Sequence, residues 1–145
     1  MDKTVTLKQF HIDTTHLKDA ILALQNCIGD YDEYSAKGES LRESLRSGVI
    51  QNFEVAYELS WKFMKKWLSY NVGSSVIDGI PRLELFKYAA ENNLISDSEI
   101  WFEFHDARNK TTHEYSEEVA EFVFEQALKF LPYAEDFLET LEKKI

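Results

Sequence analysis

The chain has 145 residues, of which 44% are hydrophobic, and this composition suits one domain with a single core. Its formal net charge of −10 excludes a protein that coats nucleic acid over a broad basic surface. The sequence contains no apolar run near the roughly 20 residues of a membrane span, and a lone cysteine, Cys27, excludes an internal disulfide. We therefore expect a cytoplasmic protein that has one domain over residues 1–145 and does not associate with a membrane.

The charge is uneven along the chain. From Ser116 onward there are eight acidic and three basic side chains, whereas residues 39–70 carry five bases and four acids. Contact with a polyanion must therefore be local. Lys62, Lys65 and Lys66 are typical of a solvated helix face, although their position also allows contact with a nucleic-acid backbone. The acidic C-terminal part suits a basic partner, or it keeps the protein soluble.

Apolar residues recur every three or four positions in each long segment, which predicts amphipathic helices. The first stripe runs from Leu17 to Tyr34, and the break at residues 37–40 ends it. The second stripe is the longest, from Leu41 to Leu68, and Gly73 is a suitable stop signal shortly after it.

Three further helices are predicted in the second half of the chain. A short helix begins near Pro81, another leads from Ile100 into Arg108, and the last starts at Ser116 and reaches the C-terminus. Short connections between such segments indicate antiparallel neighbours. We therefore predict an all-α fold, an antiparallel four-helix up-and-down bundle with an additional short helix.

The segment Arg108-Asn109-Lys110-Thr111-Thr112-His113-Glu114-Tyr115 places a guanidinium, an imidazole and a phenol within eight residues. Arginine is always charged, and its planar fork fits phosphate oxygens. Histidine gives and takes protons near neutral pH, and tyrosine supplies a hydroxyl that can be modified. Together these groups could act on a phosphodiester without a metal ion.

The spacing of Arg108 and His113 restricts how they can act together. On an unbroken helix, five residues separate the two side chains by roughly 140° around the axis. Either the helix ends near Thr111 and Thr112, so that the chain turns back, or the site is shared between two subunits across a two-fold axis. A structural alternative is that Arg108 pairs with a carboxylate nearby in sequence and that His113 caps a helix end.

The other candidate residues give weaker evidence for a functional site. His105 and His113 lie eight residues apart with no third ligand at a suitable spacing, so we predict no metal site and no cofactor. The three tryptophans, at positions 61, 67 and 101, lie on or near core stripes, which favours packing over base stacking.

With these residues in view, the chain resembles the HEPN domain proteins of the nucleotidyltransferase substrate-binding type. Two segments carry the likeness. Residues 50–62 resemble the family's helix, with Phe53-Glu54, Tyr57-Glu58-Leu59 and Trp61-Lys62, and residues 108–115 match its RN-x3-H-x-Y motif. The likeness extends over roughly residues 15–140. It implies a helical bundle that dimerises with the motifs near the interface, and a minimal nucleotidyltransferase as partner in a two-gene toxin–antitoxin module.

The resemblance also implies roles for the residues of the second motif. Arg108 and His113 would be the catalytic residues of a metal-independent ribonuclease, and Asn109, Lys110 and Tyr115 would contact RNA or nucleotide. Tyr115 would also be the candidate residue for adenylylation by the partner, which silences the toxin. The alternative is a non-catalytic subunit that binds a substrate or nucleotide for the nucleotidyltransferase. A helical dimerisation module without ligand is a third reading.

Overall fold

The computed structural model describes residues 11–113 and 116–145, and helices account for nearly all of them. Four long helices and two short ones follow one another with brief connections. In chain order they are α1 Thr15–Tyr34, α2 Glu39–Leu68, α3 Ser74–Ile77, α4 Arg82–Glu91, α5 Ser98–His113 and α6 Glu117–Lys144. A 3₁₀ turn, Ser35–Lys37, joins α1 to α2, and a π-helical turn, Ser69–Gly73, joins α2 to α3.

The four long helices pack into one bundle, so the all-α prediction is confirmed. α2 packs mainly against α1 and α6, and α6 also contacts α1 and α5. The short α4 lies against α5 and the second half of α2, where it extends the bundle at one side. The described residues include no β-strand. The helix that was predicted near Pro81 begins at Arg82, one residue later, with Pro81 in the extended conformation before it.

Aromatic rings fill the centre of the bundle. The Phe130 ring of α6 lies 5.1 Å from that of Phe53, 5.2 Å from that of Phe104 and 5.5 Å from that of Trp101, each in an edge-to-face arrangement. All four side chains are almost completely buried. Edge-to-face pairs add to the stabilisation that buried aromatic area provides. This cluster fixes α2, α5 and α6 relative to one another.

A buried arginine ties the start of α6 to α2. The Arg46 side chain is only 6% exposed and donates two hydrogen bonds, of 2.7 and 2.8 Å, to the Glu117 carboxylate. It also donates to Glu121, at 3.2 Å. The Arg46 guanidinium holds the pKa of Glu117 below its usual range through these hydrogen bonds. Ser116 accepts a bond from the Val119 amide and so caps the same first turn.

Candidate functional site

Arg108 lies where α5 crosses α2, the helix that contains residues 50–62. Its Nη1 atom is 3.1 Å from Glu54 Oε2, and its Nε atom is 3.5 Å from Glu58 Oε1. Both acids belong to α2, one turn apart, so they present their carboxylates to the same side. The two segments that carry the family likeness are therefore in direct contact, and Arg108 pairs with acids some fifty residues away in sequence rather than with a neighbour on its own helix.

The Arg108 guanidinium keeps hydrogen-bonding capacity for a ligand. Among the described residues, no acceptor forms a hydrogen bond with it, because the two carboxylates meet it as ion pairs only. Its side chain is 25% exposed and lines a cleft of about 410 Å³ between α2 and α5. The cleft is lined by Ser47, Ile50, Gln51, Glu54, Arg108, Thr111 and Thr112. A phosphate oxygen in the cleft could therefore reach a charged donor that is already oriented.

α5 continues through Thr111 and Thr112 and ends at His113, one residue beyond the end that the first of the two alternatives suggests. The Thr111 hydroxyl shares its one proton between the Glu54 carboxylate, at 2.8 Å, and the Arg108 carbonyl, at 3.0 Å, and the Thr112 hydroxyl donates to the Asn109 carbonyl. These bonds satisfy the hydroxyl groups within the last turns of the helix, which offsets the low helix propensity of threonine. The backbone positions of residues 108 and 113 are therefore separated by about 140° around the axis of one continuous helix.

The other motif residues lie in different surroundings. Asn109 Nδ2 is 3.1 Å from His105 Nε2, one turn back along α5. The Lys110 ammonium lies 5.4 Å from the centre of the Phe122 ring of α6, on another side of α5 from Arg108. His113 is the last residue of the helix, and Tyr115 lies outside the described residues.

A second polar group adjoins Arg108 and was missed at the sequence level. Tyr57 Oη lies 2.8 Å from His105 Nδ1 and accepts a hydrogen bond of 3.2 Å from Arg82 Nη1. With Asn109 at Nε2, both ring nitrogens of His105 have partners. A neutral imidazole can satisfy both, since it donates at one nitrogen and accepts at the other. This series of contacts thus joins α4, α2 and α5, in the order Arg82, Tyr57, His105 and Asn109.

The ionisation of this group is set by its burial. Burial lowers the pKa of His105, and the positive charge of Arg82 lowers it further. Burial likewise raises the pKa of Tyr57 well above the usual value for a phenol, so that Tyr57 keeps its proton. His105 is therefore neutral near physiological pH and serves as a fixed hydrogen-bonding partner for Asn109.

Trp61 connects the Arg108 cleft to Arg82. Its indole N–H donates a 3.0 Å hydrogen bond to Glu58, the acid that also faces Arg108. The Arg82 guanidinium lies over the Trp61 ring, 3.5 Å from its centre. Trp61 is half-buried, whereas Trp67 and Trp101 are buried as predicted for core residues. The expectation that Trp61 serves packing alone is therefore incomplete, because its ring also holds a cation.

Weak signals in the sequence pointed to the residues that were missed. Glu54, Tyr57, Glu58 and Trp61 recur at spacings of three or four, which places them along one side of α2. Tyr57 lies on the apolar stripe of α2, which predicts a core position. The spacing of His105 from His113 raises only the question of a metal site. Polar residues that recur beside an apolar stripe indicate a buried hydrogen-bond network. They do not identify the helix that supplies the partners.

The described residues contain neither a metal-binding cluster nor a membrane-spanning helix. Residues 11–113 and 116–145 contain no group of three or more His, Cys, Asp or Glu side chains placed to hold a metal ion. Among the helices of these residues, none combines the length and the apolar character needed to cross a membrane.

Comparisons with known proteins agree with the geometry. Residues 12–143 match the family described as nucleotidyltransferase substrate binding protein like. The chain is 31% identical over 118 residues to a Haemophilus influenzae protein named probable ribonuclease HepT, with 81% of each chain covered. It is also similar to a solved Haemophilus influenzae structure, with a TM-score of 0.81 and 29% identity over 90% of this chain and 99% of that one. That structure is described as the fold of a substrate binding domain of a nucleotidyltransferase.

Proposed function

Since this chain belongs to the family of nucleotidyltransferase substrate binding proteins, we propose that it is the partner of a minimal nucleotidyltransferase and a metal-independent endoribonuclease. In this proposal the two proteins form a cytoplasmic toxin–antitoxin pair. The observation that carries the proposal is the placement of Arg108 in the cleft between α2 and α5, on a helix that continues to His113. The similarity to a protein named as a ribonuclease supports the same conclusion.

Cleavage would proceed by transfer of the phosphodiester to the adjacent ribose hydroxyl. His113 removes the proton from the 2′-hydroxyl, and the 2′-oxygen forms a bond to phosphorus as the bond to the 5′-oxygen breaks. A proton is then returned to the leaving 5′-oxygen, and a cyclic phosphate remains. Arg108 stabilises the negative charge that develops on the phosphate oxygens in the transition state. Asn109, held by His105 at 3.1 Å, orients the substrate, and Lys110 binds a flanking phosphate.

We assign the complete site to a homodimer. On the continuous helix α5, positions 108 and 113 are separated by about 140° around the helix axis, so we propose that the Arg108 and the His113 that act on one phosphate come from different subunits. A two-fold axis would bring Arg108 of one subunit to His113 of the other and would form two equal sites. Val55 supports this arrangement, because it lies next to Glu54 on α2 and its apolar side chain is 54% exposed.

Tyr115 is the proposed target of the partner nucleotidyltransferase. An adenylyl group on its hydroxyl would place a bulky anion two residues from His113. The added charge would repel RNA, and the added volume would fill the site. Adenylylation of Tyr115 would therefore silence the ribonuclease without unfolding the bundle.

The direct test is cleavage of RNA by the purified chain in the presence of EDTA. We expect His113→Ala to reduce the rate by about 100-fold or more, which is the usual contribution of general acid–base catalysis. His16→Ala, on the exposed surface of α1, is the matched control and should cleave at the wild-type rate. Equal cleavage by wild type and His113→Ala would remove His113 from the chemistry.

A second function is favoured by one observation, the pairing of Arg108 with two carboxylates in a chain of net charge −10. Both features weaken attraction for RNA. In this alternative the cleft binds the nucleotide-acceptor substrate of the nucleotidyltransferase, and Arg108 holds a phosphate without catalysis. Binding of nucleotide or partner by a protein that cleaves no RNA at any concentration would select this function.

A further inference from the structure

A cluster of cations without carboxylate partners lies beside the Arg108 cleft. Arg42, Arg46 and Arg108 each pair with a glutamate, but Arg82 forms no ion pair within residues 11–113 and 116–145. The same holds for Lys62 and Lys65 of α2 when only the described partners are considered. The chain as a whole has ten more negative than positive charges, but these three cations lie close together around Trp61. They leave a local positive surface where a polyanion could bind.

The cluster is organised around the Trp61 ring. Arg82 lies over this ring at 3.5 Å, and Lys62 Nζ lies 5.8 Å from its centre. Lys65 lines a pocket of about 170 Å³ together with Trp61 and Arg82. Lys62 is exposed, and the other three side chains are half-buried. We call these four residues the Trp61 surface.

Arg82 is held in place before any ligand arrives. Its guanidinium stacks on Trp61 and donates a hydrogen bond of 3.2 Å to the buried Tyr57 hydroxyl. The arginine therefore loses little side-chain freedom when it binds a phosphate or stacks under a base, which lowers the entropic cost of binding. Planar guanidinium groups are common stacking surfaces for the unpaired bases of RNA.

The Trp61 surface and Arg108 have one neighbour in common, Glu58 of α2. One carboxylate, that of Glu58, faces Arg108 Nε at 3.5 Å with one oxygen and accepts the Trp61 indole N–H at 3.0 Å with the other. A linear polymer bound at Arg108 would therefore contact Trp61 and Arg82 next. The pocket of about 170 Å³ is smaller than the roughly 300 Å³ that a drug-sized ligand needs, so it suits one group of an extended ligand.

We propose that the Trp61 surface is a second binding site for single-stranded RNA, which holds the strand beside the cleft that contains Arg108. Lys62 and Lys65 bind two backbone phosphates, and Arg82 on its Trp61 support stacks against a base. This inference rests on the proposed function, because it takes RNA as the substrate. It explains how an acidic protein could hold RNA by a few local contacts.

Binding of a labelled RNA tests the inference apart from catalysis. A fluorescent single-stranded RNA of about 20 nucleotides is titrated in EDTA with the His113→Ala protein, and anisotropy is followed between about 50 and 200 mM salt. Lys62→Gln with Lys65→Gln should weaken binding about tenfold at low salt and make the salt slope shallower by about 1.4, since each single-strand phosphate contact contributes about 0.7. The control pair, Lys129→Gln with Lys143→Gln on α6, removes the same charge and should change neither value.

Arg82→Lys separates stacking from charge. It keeps the positive charge but not the planar group, so we expect about tenfold weaker binding with an unchanged salt slope. Wild-type affinity and slope in both the lysine pair and Arg82→Lys would overturn the inference. Polyglutamate that displaces RNA at equal concentration, with the same dependence on the two lysines, would also overturn it in favour of an acidic protein partner.

The binding and cleavage measurements together distinguish a failure of the Trp61 surface from a failure of the ribonuclease proposal. If the wild-type protein binds RNA through these residues but does not cleave it, the Trp61 surface stands and the ribonuclease proposal fails. If the wild-type protein cleaves RNA and both the lysine pair and Arg82→Lys bind it with wild-type affinity and salt slope, the ribonuclease proposal stands and the Trp61 surface fails.

Discussion

The carboxylate of Glu54 contacts two residues of α5 at once, with Arg108 Nη1 at 3.1 Å and the Thr111 hydroxyl at 2.8 Å. One acid of α2 therefore sets both the position of the guanidinium and the orientation of the last turns of α5. The same carboxylate also competes with any phosphate that approaches Arg108. Glu54 thus improves the geometry of the site while it weakens the binding of an anion.

This dual role predicts opposite effects of Glu54→Gln on binding and turnover. Glutamine keeps an acceptor for Thr111 but removes the negative charge beside Arg108. We expect KM for RNA to fall about fivefold, in line with about 1 kcal/mol for a partly exposed ion pair, and kcat to fall by a similar factor because Arg108 is less constrained. Steady-state kinetics in EDTA would measure both.

The matched control for this prediction is Glu103→Gln. Glu103 lies on α5 and faces Lys129 at 3.7 Å, so its replacement changes the net charge equally but leaves the cleft intact. Its kinetic constants should match those of the wild type. An unchanged KM in Glu54→Gln would show that no phosphate binds next to Glu54.

A shared site predicts that two inactive variants complement each other. In a mixed dimer of Arg108→Ala and His113→Ala, one of the two sites receives an intact arginine from one chain and an intact histidine from the other. Random mixing should therefore restore about a quarter of the wild-type cleavage rate. The measurement is RNA cleavage after the two proteins are unfolded together and refolded. A site contained in one chain would give no recovery.

The lowered pKa of His105 predicts that stability falls in mild acid. The unfolded chain protonates this ring below about pH 6.5, but the folded protein resists protonation until the lower pKa is reached. This contribution to stability is therefore complete above about pH 6.5 and is lost as the pH falls toward the lowered value. His105→Gln should flatten the change in urea midpoint between about pH 7.5 and about pH 5.

His16→Gln serves as the control for the acid effect, because His16 is exposed on α1. It should keep the wild-type dependence on pH. The hydrogen bonds from Arg46 hold the pKa of Glu117 below its usual value, so this carboxylate stays ionised over the interval tested. The same pH dependence in wild type and His105→Gln would mean that the ring is protonated as easily in the folded protein as in the unfolded chain.

The aromatic centre predicts a large loss of stability for Phe130→Ala. This ring is buried against Phe53, Trp101 and Phe104, so its removal leaves a cavity between three helices. We expect a loss of about 3–5 kcal/mol in the free energy of unfolding, measured by urea denaturation. Phe122→Ala on the same helix is the control, since Phe122 is 40% exposed and should cost less than about 1 kcal/mol. Similar losses for both variants would contradict this description of the core.

The helices could be predicted because each depends on local periodicity. The apolar stripes that begin at Leu17 and Leu41 match α1 and α2, and Pro81 marked the start of α4 to within one residue. Burial of one face is a property of each helix alone, so the spacing of residues in a single segment is sufficient. The bundle then follows from short connections between amphipathic segments.

The pairings across helices could not be predicted in the same way. The structural alternative for Arg108 named acids close to it in sequence, but Glu54 and Glu58 take that place because α2 crosses α5 there. The contact of Tyr57 with His105 has the same origin. Periodicity states which face of a helix is buried, but the register between two helices depends on how their side chains interlock.

The bonds of Arg46 to Glu117 and of Glu54 to Thr111 have a joint consequence for the connection between α5 and α6. Both ends of this connection are anchored to α2, at points that are eight residues, or about 12 Å, apart along its axis. Extra residues inserted after His113 would lengthen the span between the anchors and leave both in place. An insertion there offers a way to change the spacing between His113 and Tyr115 along the sequence in a protein that still folds.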